Sequence, residues 1–340
     1  MKIVVTGGLG YIGSHTIAEI QQTTDWEVLS IDNHLNSLPD FAQRIEDVTG
    51  KPVINHPIDL RDFEALRSFF KTEKDIDGII HFAALKAVGE SVEKPLLYYD
   101  NNLNGLIHIL KCCEEFDIPS FIFSSSCSIY GSVTTLPVNE ETPFSPTESP
   151  YAYTKLVGEQ ILRDFAKKRS TQTISLRYFN PVGAHPSGKI GEYPIQKPSN
   201  LFPVITQRAS GWIDEMFVHG LDYPTRDGSC IRDYIHVCDI ARAHIQALEK
   251  LAKDPNKEFI DFYNLGSGEG VSVLEAISAF ERNAGMKLDY KIGPRRSGDT
   301  IAIYSDSSKA HQELGWEAQH SIDEMMTSAW AWQQQLNKEK

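Results

Sequence analysis

The sequence predicts an α/β protein with a doubly wound parallel sheet, followed by a smaller α/β domain. Short apolar segments alternate with helical segments over the first half of the chain, an order typical of parallel sheets covered by helices on both faces. A glycine-rich turn joins the first strand to the first helix, and an acidic residue ends the second strand. The 340 residues suffice for one large or two modest domains.

The first strand, residues 3–6, is apolar on both faces and leads directly into the glycine run 7–13 and then a helix. The run matches Gly-x-x-Gly-x-x-Gly at Gly7, Gly10 and Gly13, and Gly-x-Gly-x-x-Gly from Gly8. These glycines allow a tight turn and let a pyrophosphate approach the N–H groups that begin the helix. With a strand before it and a helix after it, the run predicts a Rossmann-type dinucleotide site.

The second strand, residues 27–31, ends at Asp32, nineteen positions after Gly13. A carboxylate at this position accepts hydrogen bonds from the hydroxyls of an adenosine ribose and repels a 2′-phosphate, so NAD is expected rather than NADP. The structural alternative is that Asp32 only forms a turn or caps a helix within residues 32–34. The next strand, 51–55, leads to Asp59, which is placed to reach the adenine.

Strands and helices continue to alternate up to residue 180. Helices are predicted at 61–74, 102–116 and from Ser149 onward, and strands at 78–84, 120–126 and 173–179. Ligands of such sheets bind beyond the carboxyl ends of the strands. The glycine run, Asp32, Ala83, Ser126 and Asn180 all follow strands and are expected along that edge.

The chain changes character after Asn180. Residues 181–198 are rich in proline and glycine and lack periodicity, and shorter helices are predicted at 201–210, 240–250, 273–283 and 322–335. We therefore predict an NAD-binding domain over residues 1–180 and a second domain over residues 181–340. The second domain is expected to pack over the ligand edge of the first, with some elements interleaved.

The helix that begins after Ser149 presents Tyr151 and Lys155 on one face, four residues apart. A positive charge beside a phenol favours the phenolate, so this pair predicts a proton acceptor that works near neutral pH. Tyr193 and Lys197 show the same spacing, but Pro194 interrupts it. The plain alternative is a surface tyrosine and lysine on an amphipathic helix.

Composition excludes several classes of function. The net charge of −13 argues against a nucleic-acid partner, and no apolar stretch is long enough for a signal peptide or a membrane span. The five cysteines lack the Cys-x-x-Cys spacing and fit a reducing, cytoplasmic setting. The eleven histidines show no metal-ligand spacing, so no metal is expected.

The motifs together resemble the extended short-chain dehydrogenase/reductases, and longer runs resemble their UDP-hexose 4-epimerase branch from end to end. The glycine run 6–15 (TGGLGYIGSH) and the Tyr151/Lys155 pair carry the broader resemblance. The narrower one is carried by residues 84–91 (ALKAVGES), 121–126 (FIFSSS), 176–188 (LRYFNPVGAHPSG), 232–237 (RDYIHV), 264–266 (NLG) and 295–299 (RRSGD).

The resemblance implies specific residues for each role. The catalytic residues it implies are Ser126, Tyr151 and Lys155, although Ser124 and Ser125 are not excluded by sequence. The NAD contacts it implies are Tyr11, Ile12, Asp32, Asn33, His34, Leu35, Asn36, Ser37, Asp59, Leu60, Phe82, Ala83, Ala84, Leu85, Lys86, Asn101, Ser126, Tyr151, Lys155 and Phe179. The UDP-sugar contacts it implies are Lys86, Ser126, Tyr151, Asn180, Asn200, Leu201, Phe217, Val218, His219, Arg232, Arg296, Asp299 and Ile303.

The implied reaction inverts carbon 4 of UDP-glucose or UDP-galactose through a 4-keto sugar, with tightly bound NAD taking and returning the hydride. Tyr151 exchanges the hydroxyl proton, and Arg232 and Arg296 suit a diphosphate, although a surface ion pair is their alternative role. Ile303 and His219 depart from the family pattern: Ile303 stands at the gate over the sugar 2-position, and His219 stands where an aromatic residue often lies near the uracil. The family also implies a homodimer formed through helices that flank the sheet, with 102–116 and 151–167 as candidates.

Three other functions compete with this one. A sugar-nucleotide 4,6-dehydratase should have an Asp-Glu pair within the serine run, and residues 124–127 contain no carboxylate. A pentose or uronic-acid 4-epimerase is closer and stays open. A non-catalytic NAD-binding protein would have no reason to combine Ser126, Tyr151 and Lys155.

Overall fold

The computed structural model describes residues 1–167, 171–195, 198–253, 259–296 and 300–340, and its centre is a seven-stranded parallel sheet. The strands are β1 (Lys2–Thr6), β2 (Glu27–Ile31), β3 (Ile54–His56), β4 (Gly78–His81), β5 (Ser120–Ser126), β6 (Gln172–Tyr178), β7 (Asn180–Val182), β8 (Phe217–His219), β9 (Ile231–His236), β10 (Ile260–Leu265), β11 (Gly270–Ser272), β12 (Lys291–Gly293) and β13 (Ala302–Ile303). The order in the central sheet is β10-β6-β5-β4-β1-β2-β3.

Helices cover both faces of this sheet. They are α1 (Tyr11–Thr23), α2 (Phe41–Thr49), α3 (Phe63–Thr72), α4 (Val88–Glu93), α5 (Pro95–Tyr99), α6 (Gly105–Glu115), α7 (Pro150–Ala166), α8 (Leu201–Ala209), α9 (Val237–Ala252), α10 (Val273–Ala284), α11 (Ser308–Leu314) and α12 (Ile322–Glu339). A π-helical turn (Asp100–Asn104) precedes α6, and a 3₁₀ helix (Cys127–Tyr130) follows β5. The predicted doubly wound α/β fold is confirmed.

Alternation along the strands creates two separate apolar cores. Ile3 and Val5 of β1 point to one face, where they pack with α1 and α9, whereas Val4 points to the other face, toward α3 and α6. Successive side chains of a strand point to opposite faces, so a strand that is apolar throughout requires helices on both sides. The apolar run that the sequence shows is therefore the cause of the three-layer arrangement.

The chain beyond residue 180 adds one helix and one strand to the layers of the central sheet and forms further elements of its own. Helix α9 packs on α1, and β10 pairs with β6 as an outer strand of the central sheet. The remaining elements form a small sheet, in which β9 pairs with β7, β11 and β13, and a separate β8–β12 pair. Helices α8, α10 and α12 enclose a third core around Phe202, Phe280 and Met326.

Several elements differ from the sequence-based predictions. Strand β3 begins at Ile54 rather than at residue 51, because Pro52 has no N–H to donate to a neighbouring strand. The helix expected over 102–116 begins with a π-helical turn and becomes α-helical only at Gly105. Strand β10 was not predicted, although residues 264–266 were among the family motifs.

A buried ion pair joins the central elements at the ligand edge. Arg177 of β6 donates to Glu159 of α7 through Nε at 2.9 Å and through Nη2 at 2.7 Å, and both side chains are at most 2% exposed. Ser125 of β5 donates to the same carboxylate at 2.6 Å. Arg177 Nη1 also donates to Tyr130 at 2.9 Å, and Tyr130 donates to Asn264 of β10 at 2.6 Å. Five elements thus depend on one pair of charges.

Replacement of one partner of the buried ion pair should destabilise the folded protein. In Arg177→Met the Glu159 carboxylate stays buried without its counter-charge, and we expect the free energy of unfolding to fall by about 3–5 kcal/mol. Arg282→Met is the control, because the Arg282–Asp323 pair is exposed and such pairs contribute about 0–1 kcal/mol. Unfolding curves in guanidinium chloride measure the free energy of unfolding of both variants and of wild type. Equal losses in the two variants would contradict the role of the buried pair.

Candidate active site

The turn between β1 and α1 has no room for side chains. A Cβ atom on Gly13 would lie 2.2 Å from the Gly7 carbonyl oxygen, and one on Gly7 would lie 2.8 Å from the Ala83 nitrogen. Gly7 also has φ of +69°, which glycine adopts without strain. Gly10 is the N-cap of α1, and no side chain caps this helix. The backbone of this turn is therefore accessible to close approach by a group such as a pyrophosphate.

Asp32 lies at the carboxyl end of β2 and is 8% exposed. One carboxylate oxygen accepts from the Leu9 nitrogen of the glycine turn at 3.1 Å. The other accepts from the His34 nitrogen at 2.9 Å and from Ser37 Oγ at 2.7 Å. Asp32 therefore forms a turn and also ties the two loops together. Because a carboxylate can accept about four hydrogen bonds, one acceptor position remains for a ribose hydroxyl.

The neighbouring predicted contacts lie along the same edge. A hydrogen bond from Arg61 is the main cause that lowers the pKa of Asp59. The exposed Asn33 lowers this pKa further. Arg61 Nη2 lies 2.7 Å from the Asp59 carboxylate. Leu35 and Asn36 are exposed on the loop after β2, and Leu60 is buried next to Gly105. Asp59 is thus already engaged in an ion pair.

The loop after β4 is held by Asn102, a residue that the sequence analysis did not single out. Its side chain accepts from the Leu85 nitrogen at 2.8 Å and donates to the Leu85 oxygen at 3.0 Å. It also donates to Thr154 on α7 and accepts from Asn101, both near 3 Å. The loop that contains residues 82–86 is therefore fixed to the helix that carries Tyr151. A doubled asparagine in the sequence was the only available signal.

The three consecutive serines that end β5, Ser124 to Ser126, have different partners. Ser125 donates to Glu159 and belongs to the buried ion pair. The Ser124 hydroxyl lies near Tyr178, where it opposes the rise in pKa that burial causes, and the Ser124 carbonyl oxygen accepts from Lys155 Nζ at 2.7 Å. These contacts commit Ser124 and Ser125 to other neighbours.

Ser126 is the serine beside Tyr151. Burial raises the pKa of Tyr151 to about 12, and the neighbouring Ser126 hydroxyl acts in the opposite direction and lowers it. The structure thus brings together the pair that the sequence could not select from three adjacent serines.

Lys155 is 4% exposed, and its ammonium lies 5.0 Å from the centroid of the Phe123 ring. Burial lowers the pKa of Lys155 to about 7. From the sequence we expected the ammonium to lower the pKa of Tyr151, but desolvation of both groups is the stronger influence. Tyr151, which is partly buried, and Lys155, which is buried, are nevertheless two titratable groups one turn apart, a combination that is common at catalytic sites.

Asn180 and Ile303 lie on strands that both pair with β9, the strand of Arg232, and Phe179 directly precedes Asn180. Phe179 and Ile303 belong to one buried apolar cluster together with Tyr130. Ile303 pairs with Arg232 across β13 and β9, and Arg232 donates to the Thr300 oxygen at 2.6 Å. The predicted gate position therefore lies in the same apolar cluster as a predicted cofactor contact.

Lys86 and Asn200 are joined by Glu192, a residue that was missed. Glu192 Oε1 lies 2.9 Å from Lys86 Nζ and accepts from Asn200 Nδ2 at 3.2 Å. Lys86 also lies 5.6 Å from the ring centroid of Tyr11, whose hydroxyl donates to the Gly183 oxygen. No sequence signal marks Glu192, because it stands in an irregular loop.

The other predicted contacts occupy the second part of the chain. Leu201 opens α8; Phe217 is 41% exposed, and Val218 is buried. His219 hydrogen-bonds the Pro294 oxygen at 3.2 Å, and Arg296 is exposed. Phe82 is partly buried with its ring 4.6 Å from that of His244, while Ile12 and Ala84 are partly buried as well. Asp299 lies outside the described residues.

Two absences hold within the described part of the chain. No group of three or more histidine, cysteine, aspartate or glutamate side chains is arranged to hold a metal ion there. None of the helices in those residues is both long and apolar enough to cross a membrane.

Relatives similar in sequence match nearly the whole chain. UDP-glucose 4-epimerase of Bacillus subtilis is 46% identical over 334 residues, covering 98% of this chain and 97% of its own length. UDP-glucose 4-epimerase of Erwinia amylovora is 47% identical over 336 residues, with 98% of each chain covered.

Solved structures agree with these relatives. UDP-glucose 4-epimerase from Bifidobacterium longum, in complex with NAD⁺ and UDP, superposes with a TM-score of 0.93 at 46% identity and 98% coverage of both chains. The enzyme from Stenotrophomonas maltophila, with bound NAD and formylated UDP-arabinopyranose, gives a TM-score of 0.96 at 42% identity and 100% coverage of both chains.

The family model described as the NAD dependent epimerase/dehydratase family matches residues 3–266. With this match and relatives of such identity, the chain belongs to the NAD dependent epimerase/dehydratase family.

Proposed function

We propose that this chain is an NAD-dependent UDP-hexose 4-epimerase that interconverts UDP-glucose and UDP-galactose. The observation that carries the proposal is the placement of Tyr151, which lies beside Ser126 at the end of β5 and stands one turn before Lys155 on α7. The glycine turn and Asp32 lie at the same edge of the sheet, where they suit a dinucleotide.

The hydrogen on carbon 4 is not acidic, so it cannot leave as a proton. Inversion at this carbon therefore requires oxidation to a ketone, which removes the stereocentre. Tyr151 accepts the proton of the 4-hydroxyl and later returns it to the same oxygen when the ketone is reduced from its opposite face, while Ser126 donates to the phenol oxygen. Lys155 anchors the nearby backbone through the Ser124 oxygen and adds positive charge when protonated. Bound NAD⁺ would supply the hydride acceptor for carbon 4 and a further positive charge beside the phenolate.

The 4-keto sugar must turn over inside the site before it is reduced. This motion requires loose contacts to the sugar and firm contacts to the nucleotide. We assign the diphosphate to Arg232 and Arg296, because guanidinium groups match phosphate oxygens with paired donors. Residues 1–180 would then bind NAD, and residues 181–340 would supply most of the UDP-sugar contacts.

Purified protein without added cofactor should convert UDP-galactose to UDP-glucose with no net release of NADH. The rate with UDP-N-acetylgalactosamine, relative to that with UDP-galactose, reports whether the site beside Ile303 admits an N-acetyl group at the sugar 2-position. No conversion of either sugar by NAD-containing protein would contradict the proposal. A UDP-pentose would be the next substrate, since the Stenotrophomonas neighbour holds a formylated UDP-arabinopyranose.

In the same assay, Tyr151→Phe should reduce kcat by at least about 100-fold, because the variant has no group to exchange the proton. The fold and the NAD content should be unchanged, since the ring remains. Tyr153→Phe is the control, as Tyr153 lies on the same helix and is 45% exposed. A Tyr151→Phe rate near that of wild type would exclude the proposed acid/base.

Asp32→Asn tests the cofactor preference while keeping the shape that the loop needs. Loss of the negative charge should weaken NAD binding. The ratio of the dissociation constant for NADP to that for NAD should fall by roughly 10- to 100-fold. Isothermal titration with both cofactors measures the ratio, with the exposed Asp25→Asn as control. An unchanged ratio would leave Asp32 with only its role in the turn.

We also infer a cytoplasmic homodimer. All five cysteines are free thiols, which suits a reducing compartment. Helices α4 to α7 expose Val92, Leu96, Ile107 and Tyr153, with Leu96 79% exposed, and a second copy of the chain would cover this apolar surface.

Leu96→Asp should convert a dimer to a monomer, because it places a charge at the most exposed apolar residue of that surface. Light scattering after gel filtration measures the mass, with Ile54→Asp on the edge strand β3 as control. A wild-type monomer, or a Leu96→Asp dimer of unchanged stability, would exclude this interface.

A further inference from the structure

Ser126 has both acceptor positions of its hydroxyl filled by a single residue. Its Oγ accepts from the Ser128 nitrogen at 3.2 Å and from Ser128 Oγ at 3.0 Å. A serine hydroxyl has one proton and two lone pairs. With both lone pairs occupied, the remaining interaction that Ser126 can make is to donate its own proton.

The surroundings of Ser128 hold it in this place. Ser126 is the N-cap of the 3₁₀ helix Cys127–Tyr130, which turns Ser128 back toward it. The next two residues, Ile129 and Tyr130, are fully buried. Tyr130 is also fixed by Arg177 and by Asn264, so the helix cannot shift without breaking the buried network.

We propose that Ser128 is a positioning residue for the reaction: it occupies the lone pairs of Ser126 and thereby directs the Ser126 proton to the Tyr151 oxygen. This inference rests on the proposed function. A donor favours the phenolate form of Tyr151, whereas a serine free to accept a bond from the phenol would favour the neutral form. Ser128 thus decides which protonation state of the base Ser126 supports.

Other titratable groups around Tyr151 are constant in the test. Lys155 lies on the same helix, Tyr98 on α5, Tyr178 on β6 and Cys127 on the 3₁₀ helix. Substitution of Ser128 changes none of them. A change in the titration of the base can therefore be attributed to the bonds between Ser128 and Ser126.

The test compares Ser128→Ala and Ser128→Thr in the NAD-containing protein, with kcat and KM for UDP-galactose measured against pH. Ser128→Ala should lower kcat about tenfold, the effect of one lost hydrogen bond to the donor. The acid limb of the kcat profile should move up by about 0.5–1 pH unit, with KM little changed. Ser128→Thr retains the hydroxyl and should restore both quantities.

Ser132→Ala is the matched control, because Ser132 is exposed and donates to Glu148, outside the site. A double-mutant cycle completes the test: in a Ser126→Ala background, Ser128→Ala should have no further effect on kcat.

Independent, additive effects would overturn the inference, and so would a Ser128→Ala variant that behaves like Ser132→Ala while wild type is active. A fall in thermal stability or NAD content that accounts for the lost rate, without a shifted pH profile, would reduce Ser128 to a structural role. Wild type that converts no UDP-hexose would instead remove the proposed function, and this inference with it.

Discussion

The buried pair between Glu159 and Arg177 is the interaction on which the candidate site depends. Glu159 stands one turn beyond Lys155 on α7, and it accepts from Ser125, the neighbour of Ser126 on β5. Arg177 extends the connection to Tyr130 and, through it, to β10. Because a buried ion pair is stable only when its geometry is satisfied, these bonds fix the distance between strand and helix. The buried pair thereby also sets the relative positions of Ser126, Tyr151 and Lys155.

The candidate base lies where its charged form is unfavourable. Burial raises the pKa of Tyr151 to about 12 and lowers that of Lys155 to about 7, so each group resists its own ionisation. The groups that favour the phenolate are therefore the ones that matter for proton transfer, and Ser126 is the neighbour that does so in this structure. A proton acceptor of this kind depends on precisely placed donors rather than on exposure to water.

Local features of the site were predictable from sequence, because strand, glycine turn and helix follow one another in the chain. The positions of Gly7, Gly13 and Asp32 follow from such local patterns. The choice of Ser126 over Ser124 and Ser125 was not predictable from the residues alone, since it depends on contacts with α7 and β6. Glu192 was missed for the same reason: its partners Lys86 and Asn200 are distant in sequence or lie in an irregular loop.

The second half of the chain was harder to predict because its elements are short. Strand β10 crosses back to the central sheet, where it pairs with β6 and supplies Asn264 to the buried network. A six-residue strand within a region of mixed character gives little periodicity. Its place in the sheet follows from tertiary pairing, which no local pattern encodes.

The most direct test of this account follows the hydrogen on carbon 4. Tyr151 is proposed to exchange only the proton on oxygen, so the carbon-bound hydrogen should leave and return as hydride without meeting solvent. UDP-galactose deuterated at carbon 4, converted in ordinary water and analysed by NMR, should give UDP-glucose that retains its deuterium at that carbon. Replacement of the deuterium by solvent hydrogen would contradict the account, because the carbon would then have exchanged a proton.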